Sequence, residues 1–368
     1  MKVSIGSRIV RGPWGGGNLF AINLTKFLID NGHEVIYDLS EPDIDLILLT
    51  DPRSRSESSS TFNHEDIKKY QKFVKPNVTV IQRINECDER KNTENINKFY
   101  LNASHVADHV VFVSSWLRNI YLNIGMDEKK TSVILAGANS EIFNNSGLSI
   151  WNESKRFKLV THHWSSHKNK GFDDYEYIDK LLDDDYWKTK IEFTYIGNVS
   201  SNYQFNNTNL VKPLAGKELA TELKKHHVYI TGSINEPSGN HHIEAAQCGL
   251  PVLYKNSGGI PEYCDGFGLS FNDTDLAEKI SLIKREYDAY LEELTRYPFN
   301  SEKMCDDFLS LFNRVIEKKQ IQSNDIKINI KRKYLYLAKN KFLKYFRKLF
   351  SLNLREILSN IVKKVIGK

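Results

Sequence analysis

Short apolar runs of β type recur along this chain, and each gives way to a polar loop and then to apolar positions at helical spacing. A strand over Lys2 to Ser7 leads into a loop holding Gly15, Gly16 and Gly17. The helix after it carries Leu19, Ala21, Ile22, Leu24, Phe27 and Leu28 on one face and stops at Asn31-Gly32. Strands over His33 to Leu39 and Asp45 to Thr50 follow, then a polar Ser/Arg stretch over Arg53 to Ser60, expected to be a mobile loop, and a helix over His64 to Val74. The alternation continues with a strand over Val78 to Gln82, a helix around Asn95 to Ala107, a strand over His109 to Val113 and a helix opened by Ser114. Polar residues from Asn144 to Ser154 interrupt it and read as an interdomain linker. It resumes with strands over Phe157 to His162, Ile191 to Ile196 and Val228 to Thr231, with helices after Phe172 and over Gly216 to Lys225. From Thr274 helical spacing dominates, and Met304 to Ile316 forms a further amphipathic helix. Strands separated by helices imply parallel sheets, and 368 residues suffice for two domains with separate cores.

The chemistry concentrates between Tyr229 and Glu262. The strand ending at Thr231 passes into a polar loop, a short helix begins near Asn240 and stops at Gly249, and Pro251 leads in the next strand. Glu236 lies in the loop and Glu244 in the first turns of the helix. The backbone N–H groups of Gly239, Asn240 and His241 stand at the helix start, where unpaired donors and the positive dipole end coincide. A nucleotide diphosphate suits such a place. Taken singly, Glu244 is also an ordinary first-turn acid, Asn240 an ordinary cap and Glu236 a solvated loop acid.

Two glutamates seven residues apart, then Gly249-Leu250-Pro251-Val252 and Ser257-Gly258-Gly259-Ile260-Pro261-Glu262, together resemble the signature of the family-four retaining glycosyltransferases. The resemblance implies a GT-B fold of two Rossmann-like domains facing each other across a cleft. It divides the chain into an acceptor-side domain over 1–148, a donor-nucleotide domain over 149–302 and a helix over 303–318 that crosses back to the first domain; a basic helical tail over 319–368 lies beyond the resemblance. It further implies transfer of a sugar from a nucleotide diphosphate to a hydroxyl, with retention, no metal and no cofactor beyond the nucleotide-sugar substrate. Glu236 would then hold donor-sugar hydroxyls and Glu244 the ribose hydroxyls, with Gly258 and Gly259 also at the donor. A GT-B nucleotide-sugar epimerase and a non-catalytic GT-B partner in a glycan-assembly complex are the alternatives.

Other stretches bear on the same cleft. Relatives carry an Arg and a Lys on the loop corresponding to 163–171, both on the diphosphate. Lys170-Gly171 matches the second, no Arg precedes it, and Lys168 or His167 stands as the substitute. Cations there stabilise the charge that the leaving nucleotide gains, although two lysines alone would also make a solvated basic loop. The Gly15 to Gly17 loop is a partial dinucleotide fingerprint, broken by Phe20, and in the resembled family such a loop lets backbone approach the donor phosphate and acceptor. Dense mixed charge over 83–91, directly after a buried strand, marks Arg83, Asn85 and Asp88 as cleft-lining candidates or as a surface ion network. Val133 to Phe143 resembles the end of the family's first domain, which places Asn139 at the cleft.

Composition changes the picture at two points. Cys87, Cys248, Cys264 and Cys305 lack metal-ligand spacing and read as buried thiols of a reducing compartment, and Met1 leads directly into a strand, so a cytoplasmic body is expected. From Lys318 onward 15 Lys and Arg oppose 2 acids, a local charge of +13 within a chain total of +5, so the preceding part is near −8. Within 331–368, Leu335, Ala338, Phe342, Tyr345, Phe346 and Leu349 recur at helical spacing, and Leu354, Ile357, Leu358, Ile361 and Val365 repeat the design. Neither stretch reaches the ~18–20 apolar residues of a spanning helix, so the tail reads as an anchor on the inner, anionic membrane surface, beside a glycan or lipid-linked acceptor. A helix pair packed on the body is the other reading. Nucleic acid is not expected as a partner, because no binding motif accompanies the charge.

Overall fold

Strand after strand in the first half of the chain is apolar on both faces, and such strands are stable only where helices cover a parallel sheet on both sides. In the computed structural model, which describes residues 1–10, 15–53, 60–199, 201–322, 329–342 and 345, that is what they form. The first domain runs β1 (Lys2–Ile5), α1 (Gly15–Asp30), β2 (Glu34–Ile36), β3 (Leu46–Leu49), α2 (His64–Phe73), β4 (Thr79–Ile84), α3 (Asp88–Lys91), α4 (Ile96–Ala103), β5 (His109–Phe112), α5 (Ser115–Asn123) and β6 (Thr131–Val133). Its sheet has the order β2-β1-β3-β4-β5-β6 with every pairing parallel. β3 and β4 are buried along their whole length.

The second domain runs β7 (Phe157–His163), α6 (Phe172–Leu181), α7 (Asp185–Lys190), β8 (Ile191–Gly197), β9 (Asn209–Val211), α8 (Gly216–Leu223), β10 (Val228–Thr231), α9 (Asn240–Gln247), β11 (Val252–Lys255), α10 (Pro261–Cys264), β12 (Gly268–Phe271), α11 (Leu276–Arg285) and α12 (Tyr287–Leu294). Its parallel sheet has the order β12-β11-β10-β7-β8-β9. The chain is thus built of two Rossmann-like domains, as the alternation of strand and helix predicts.

Differences from the sequence expectation have local causes. Gly15 to Gly17 form the first turn of α1 instead of a loop, with Gly15 at φ +75°. Arg83 belongs to β4 and not to the loop after it, because the strand extends to Ile84. The sequence reading missed β6, β9 and β12, which are only three or four residues long and half-buried or exposed over most of their length. The stretch from Arg53 to Ser60 falls largely outside the described residues.

Several contacts fix one domain on the other. After α12 the chain returns at Asn300, where Ser301 N–H donates to the Ala138 carbonyl at 2.7 Å. The long helix α13 (Ser301–Gln322) then lies along α1, with Phe308 and Phe20 rings 5.1 Å apart, and Lys319 pairs with Asp108 at 2.6 Å. Glu262 reaches across to accept from the N–H groups of Ser115 and Trp116 at 2.8 and 2.9 Å, which caps α5 from the other domain. A single apolar cluster accordingly joins Phe20 and Leu24 of α1, Ile243 of α9 and Phe308 and Phe312 of α13.

Residues 330–342 form a last described helix, and it sits on the first domain. Leu337 is buried in that domain's core, the Tyr336 ring lies 5.8 Å from Phe73, and Asn340 Nδ2 donates to the Leu39 carbonyl at 3.5 Å. This docked face is not the stripe singled out from sequence. Leu335, Phe342 and Tyr345 of that stripe are 73%, 64% and 64% exposed. Residues 346–368, with the second apolar repeat, lie outside the described residues.

Candidate functional site

Strand order decides where such a protein can bind a ligand. In an open parallel sheet the loops after two neighbouring strands part company where the chain reverses direction across the sheet, leaving a crevice at their C-terminal ends. In the second sheet the reversal falls between β7 and β10, since β8 and β9 extend from one side of β7 and β10 to β12 from the other. The loop after β7 carries Lys170 and the loop after β10 carries Glu236, with α9 starting just beyond. In the first sheet the reversal falls between β1 and β3, and α1 starts beside it. The two crevices face each other. A Cβ built on Gly16, in the first turn of α1, would lie 2.9 Å from Asn240 Oδ1 at the start of α9. Two helix N-termini therefore open toward one space between the domains, where both dipoles favour an anion.

Lys170 donates its ammonium to Glu236 Oε2, and Arg90 Nε of α3 stands 3.3 Å from Glu236 Oε1. Glu236 is buried, and burial alone would raise its pKa, but the charges of Lys170 and Arg90 together outweigh it and hold the carboxyl down to about 2. The Glu236 charge in turn raises the pKa of Arg90. Gly239 is left-handed at φ +80°, and a side chain there would strike His241, His242 and Glu236, so glycine lets the loop turn tightly into α9. Gly258 and Gly259 pack against the backbone of Glu236 and Pro237, and Gly259 N–H donates to the Glu236 carbonyl at 2.9 Å. They hold the Glu236 loop from beneath.

Glu244 is buried in the second turn of α9, and its Oε2 lies 3.0 Å from His162 Nε2 at the end of β7. Three more buried histidines surround this pair. His241 Nε2 contacts Thr231 Oγ1 at 2.9 Å and its ring is 4.7 Å from that of His163, while His242 stacks edge-on at 4.8 Å. Burial pushes the pKa of His163 and His241 well down and that of His242 to about 3, so all three are neutral near pH 7. Among the described residues, His162 Nδ1, His242 Nε2 and Ser233 Oγ are buried with no hydrogen-bond partner.

The remaining candidates scatter around this centre. Lys168 is exposed in the same loop that half-buries Lys170. Arg83 is buried with its guanidinium 4.0 Å over the Phe20 ring, and burial lowers its pKa to about 10. Asn85 is half-buried. Asp88 receives the N–H groups of Ile96 and Asn97 at 2.9 and 3.0 Å and so secures the start of α4. Asn139 Oδ1 accepts from Glu141 N–H at 2.9 Å in a turn beside the interdomain crossing. Arg90, His162 and Glu262 were not singled out as site residues from sequence. Two consecutive histidines ending a buried strand at the reversal point were a usable signal for the second.

Residues 194–297 match the family described as glycosyl transferases group 1, a span running from within β8 to just past α12. No curated protein matches the chain. Solved structures similar to it include a glycosyltransferase from Rickettsia africae, 16% identical with a TM-score of 0.62 over 86% of this chain and 98% of that one. Another is HepE from Anabaena in complex with UDP and glucose, 13% identical with a TM-score of 0.61 over 85% of this chain and 100% of that one. A third is the lipopolysaccharide outer core galactosyltransferase WaaB in its apo form, 13% identical with a TM-score of 0.62 over 87% of this chain and 100% of that one. The fold is GT-B, and the stretch that matches the group 1 family lies in the second domain.

Proposed function

We propose that the chain is a retaining glycosyltransferase that takes its sugar from a nucleotide diphosphate. The observation that carries this reading is the convergence, at the reversal point of the second sheet, of Lys170, Glu236, Glu244 and the α9 N-terminus, faced by the N-terminus of α1. Backbone N–H groups of Gly239, Asn240 and His241 and the ammonium of Lys170 take the diphosphate, with Lys168 at its solvent edge. Glu244, oriented by His162, accepts from the ribose hydroxyls, and Glu236 from hydroxyls of the donor sugar. The bond from the anomeric carbon to the phosphate oxygen breaks with its electron pair going to the nucleotide. The acceptor oxygen bonds to that carbon on the same face, and its proton passes to the departing phosphate. Charge on that phosphate is greatest as the bond breaks, so fixed donors there lower the barrier. We assign phosphate neutralisation to these cations and dipoles.

The division into an acceptor-side domain over 1–148 and a donor domain over 149–302 is part of the same proposal, with Gly15 to Gly17, Arg83, Asn85, Asp88 and Asn139 on the acceptor side. Among the described residues no helix is long and apolar enough to cross a membrane. The exposed stripe of Leu335, Phe342 and Tyr345 supports a tail that lies on an anionic bilayer surface, which suits a lipid-linked acceptor in surface-glycan assembly.

The test is thermal unfolding against a panel of nucleoside diphosphates and their sugars, followed by product analysis with the stabilising donor. HepE was solved with UDP and glucose, so UDP and UDP-sugars come first. Stabilisation by one nucleotide class and an axial-to-axial or equatorial-to-equatorial product are expected. Indifference to every nucleotide would leave only a scaffold, and an epimerised sugar nucleotide without acceptor would replace transfer by epimerisation.

A further inference from the structure

The first domain contributes a cation, Arg90, to the crevice that holds Glu236. Residues Glu86 to Lys91 follow β4, running from buried Glu86 and Cys87 to half-buried Asp88 and Arg90 and exposed Glu89 and Lys91, and the one-turn helix α3 aims Arg90 out of its own domain. From Asp51 a line of ion pairs leads to the second domain. Arg53 lies 3.0 Å from Asp51 and 3.6 Å from Glu86, Arg90 Nη1 lies 3.5 Å from Glu86 and its Nε 3.3 Å from Glu236, and Lys170 closes the line on Glu236. Lys91 adds a third cation to Glu86 at 3.3 Å. Four cations thus meet three carboxylates, and two of the four, Arg90 and Lys170, meet on Glu236 in the loop that leads into α9. The contact is not incidental to side-chain reach. Asn169 Nδ2 donates to the Arg90 carbonyl at 2.9 Å, and Asn235 Nδ2 donates to the Glu89 carbonyl at 3.2 Å, so both loops of the donor crevice grip the backbone of α3.

We propose that Arg90 is the second cation on the donor's diphosphate, supplied across the cleft, so that the anion site is complete only while α3 is docked on the second domain. This rests on the nucleotide-sugar reading above. Arg90 and Lys170 approach opposite oxygens of one carboxylate, a spacing that a diphosphate laid along the α9 N-terminus also bridges. A guanidinium presents several fixed donors to such an anion and keeps its charge when buried. Glu236 pairs with both cations and yields them to the phosphates when donor enters, leaving its own oxygens for sugar hydroxyls. Nucleotide binding and docking of the two domains are then linked, each favouring the other.

The test compares UDP with UMP on the full-length protein by calorimetry or thermal shift, in wild type, Arg90→Ala, Arg90→Gln and Arg90→Lys. Arg90→Ala is expected to weaken UDP about 10- to 100-fold and UMP little, because UMP lacks the second phosphate, with Arg90→Lys recovering part of the loss. The glutamine variant keeps the side chain's bulk and a hydrogen-bonding group, and should lose UDP as alanine does even if alanine fails to fold. Unchanged UDP affinity in the glutamine variant, or an equal loss of UDP and UMP, overturns the assignment. Wild type that binds neither UDP nor any other nucleoside diphosphate would sink the nucleotide-sugar reading itself, a result distinct from either.

Discussion

Glu244→Ala is the substitution for which the structure sets a magnitude on two separate axes. Its carboxylate is buried and shares a 3.0 Å contact with His162 Nε2, so truncation removes an acceptor from the ribose and a partner from a buried imidazole. A hydrogen bond to a charged acceptor contributes about 1.5–3 kcal/mol, which corresponds to roughly a 10- to 150-fold weaker nucleotide. The orphaned His162 should cost about 1–3 kcal/mol of folding stability, since its Nδ1 already lacks a partner among the described residues. Affinity alone cannot separate these effects, because a loosened crevice would also bind badly. Calorimetry with UDP and with its 2′,3′-dideoxyribose analogue does separate them. Wild type should prefer UDP by the full factor, and Glu244→Ala should bind the two alike at the level of the analogue. Glu244→Gln, which keeps a carbonyl acceptor, should fall between. If Glu244→Ala weakens both ligands equally and preserves the preference, Glu244 does not touch the ribose and serves only to hold His162.

Three further outcomes are expected. Lys170→Ala should lower turnover on the order of 100- to 1,000-fold, as losing one positioned donor to a developing charge does, whereas exposed Lys168→Ala should change it little; steady-state kinetics reverses the two roles if Lys168→Ala is the severe one. Stability should be intact above pH ~6.5 and decline below it. His227 and His242 are held at about 4 and about 3 by burial, so the unfolded chain takes up their protons first, costing about 1.4 kcal/mol per histidine per pH unit, down to about 4 for His227 and about 3 for His242. Glu236, held at about 2, adds a loss between about 4.5 and 2; urea midpoints that stay level from pH 7.5 to 4.5 would contradict this. The full chain should float with anionic vesicles and not with neutral ones, and Leu335→Glu with Phe342→Glu, both exposed, should weaken flotation without changing the melting temperature; equal flotation of the variant removes that stripe as the membrane contact.

Where one physical rule acts alone, the sequence carries the fold. β10 spans Val228 to Thr231 and α9 starts at Asn240, as read from the apolar run and the small residues after it. Fully buried strands such as β3 and β4 read as apolar runs for the same reason. The edge strands do not, because β9 is exposed at two of its three residues and takes its form from pairing with β8. The run over 83–91 shows where residue-level reading stops. Its unusual charge was visible, but which members face the other domain depends on β4 extending to Ile84 and on the single turn of α3. Asp88 consequently binds the N-terminus of α4, and Arg90, two positions on, crosses to Glu236. The tail makes the same point, since the core of the first domain selects Leu337 and leaves exposed the more regular stripe beside it.

The placement of Glu262 and Arg90 gives the cleft a physical logic. Glu262, from the second domain, caps α5 of the first, and Arg90, from the first, pairs with Glu236 of the second. Without the second domain, the Ser115 and Trp116 N–H groups lose their acceptor, and without the first, Glu236 keeps Lys170 but loses its second cation. The two contacts differ in what can replace them. The Ser115 and Trp116 N–H groups gain a charged acceptor from Glu262 that only water would replace, so this contact favours keeping that edge of the cleft closed. Arg90 needs only an anion, which either Glu236 or a phosphate supplies, so its contact can change hands without leaving the guanidinium unpaired, while Glu236 turns to the hydroxyls of the donor sugar. A cleft held at one edge by the Glu262 cap and at the other by an exchangeable ion pair can admit a diphosphate while the domains stay joined.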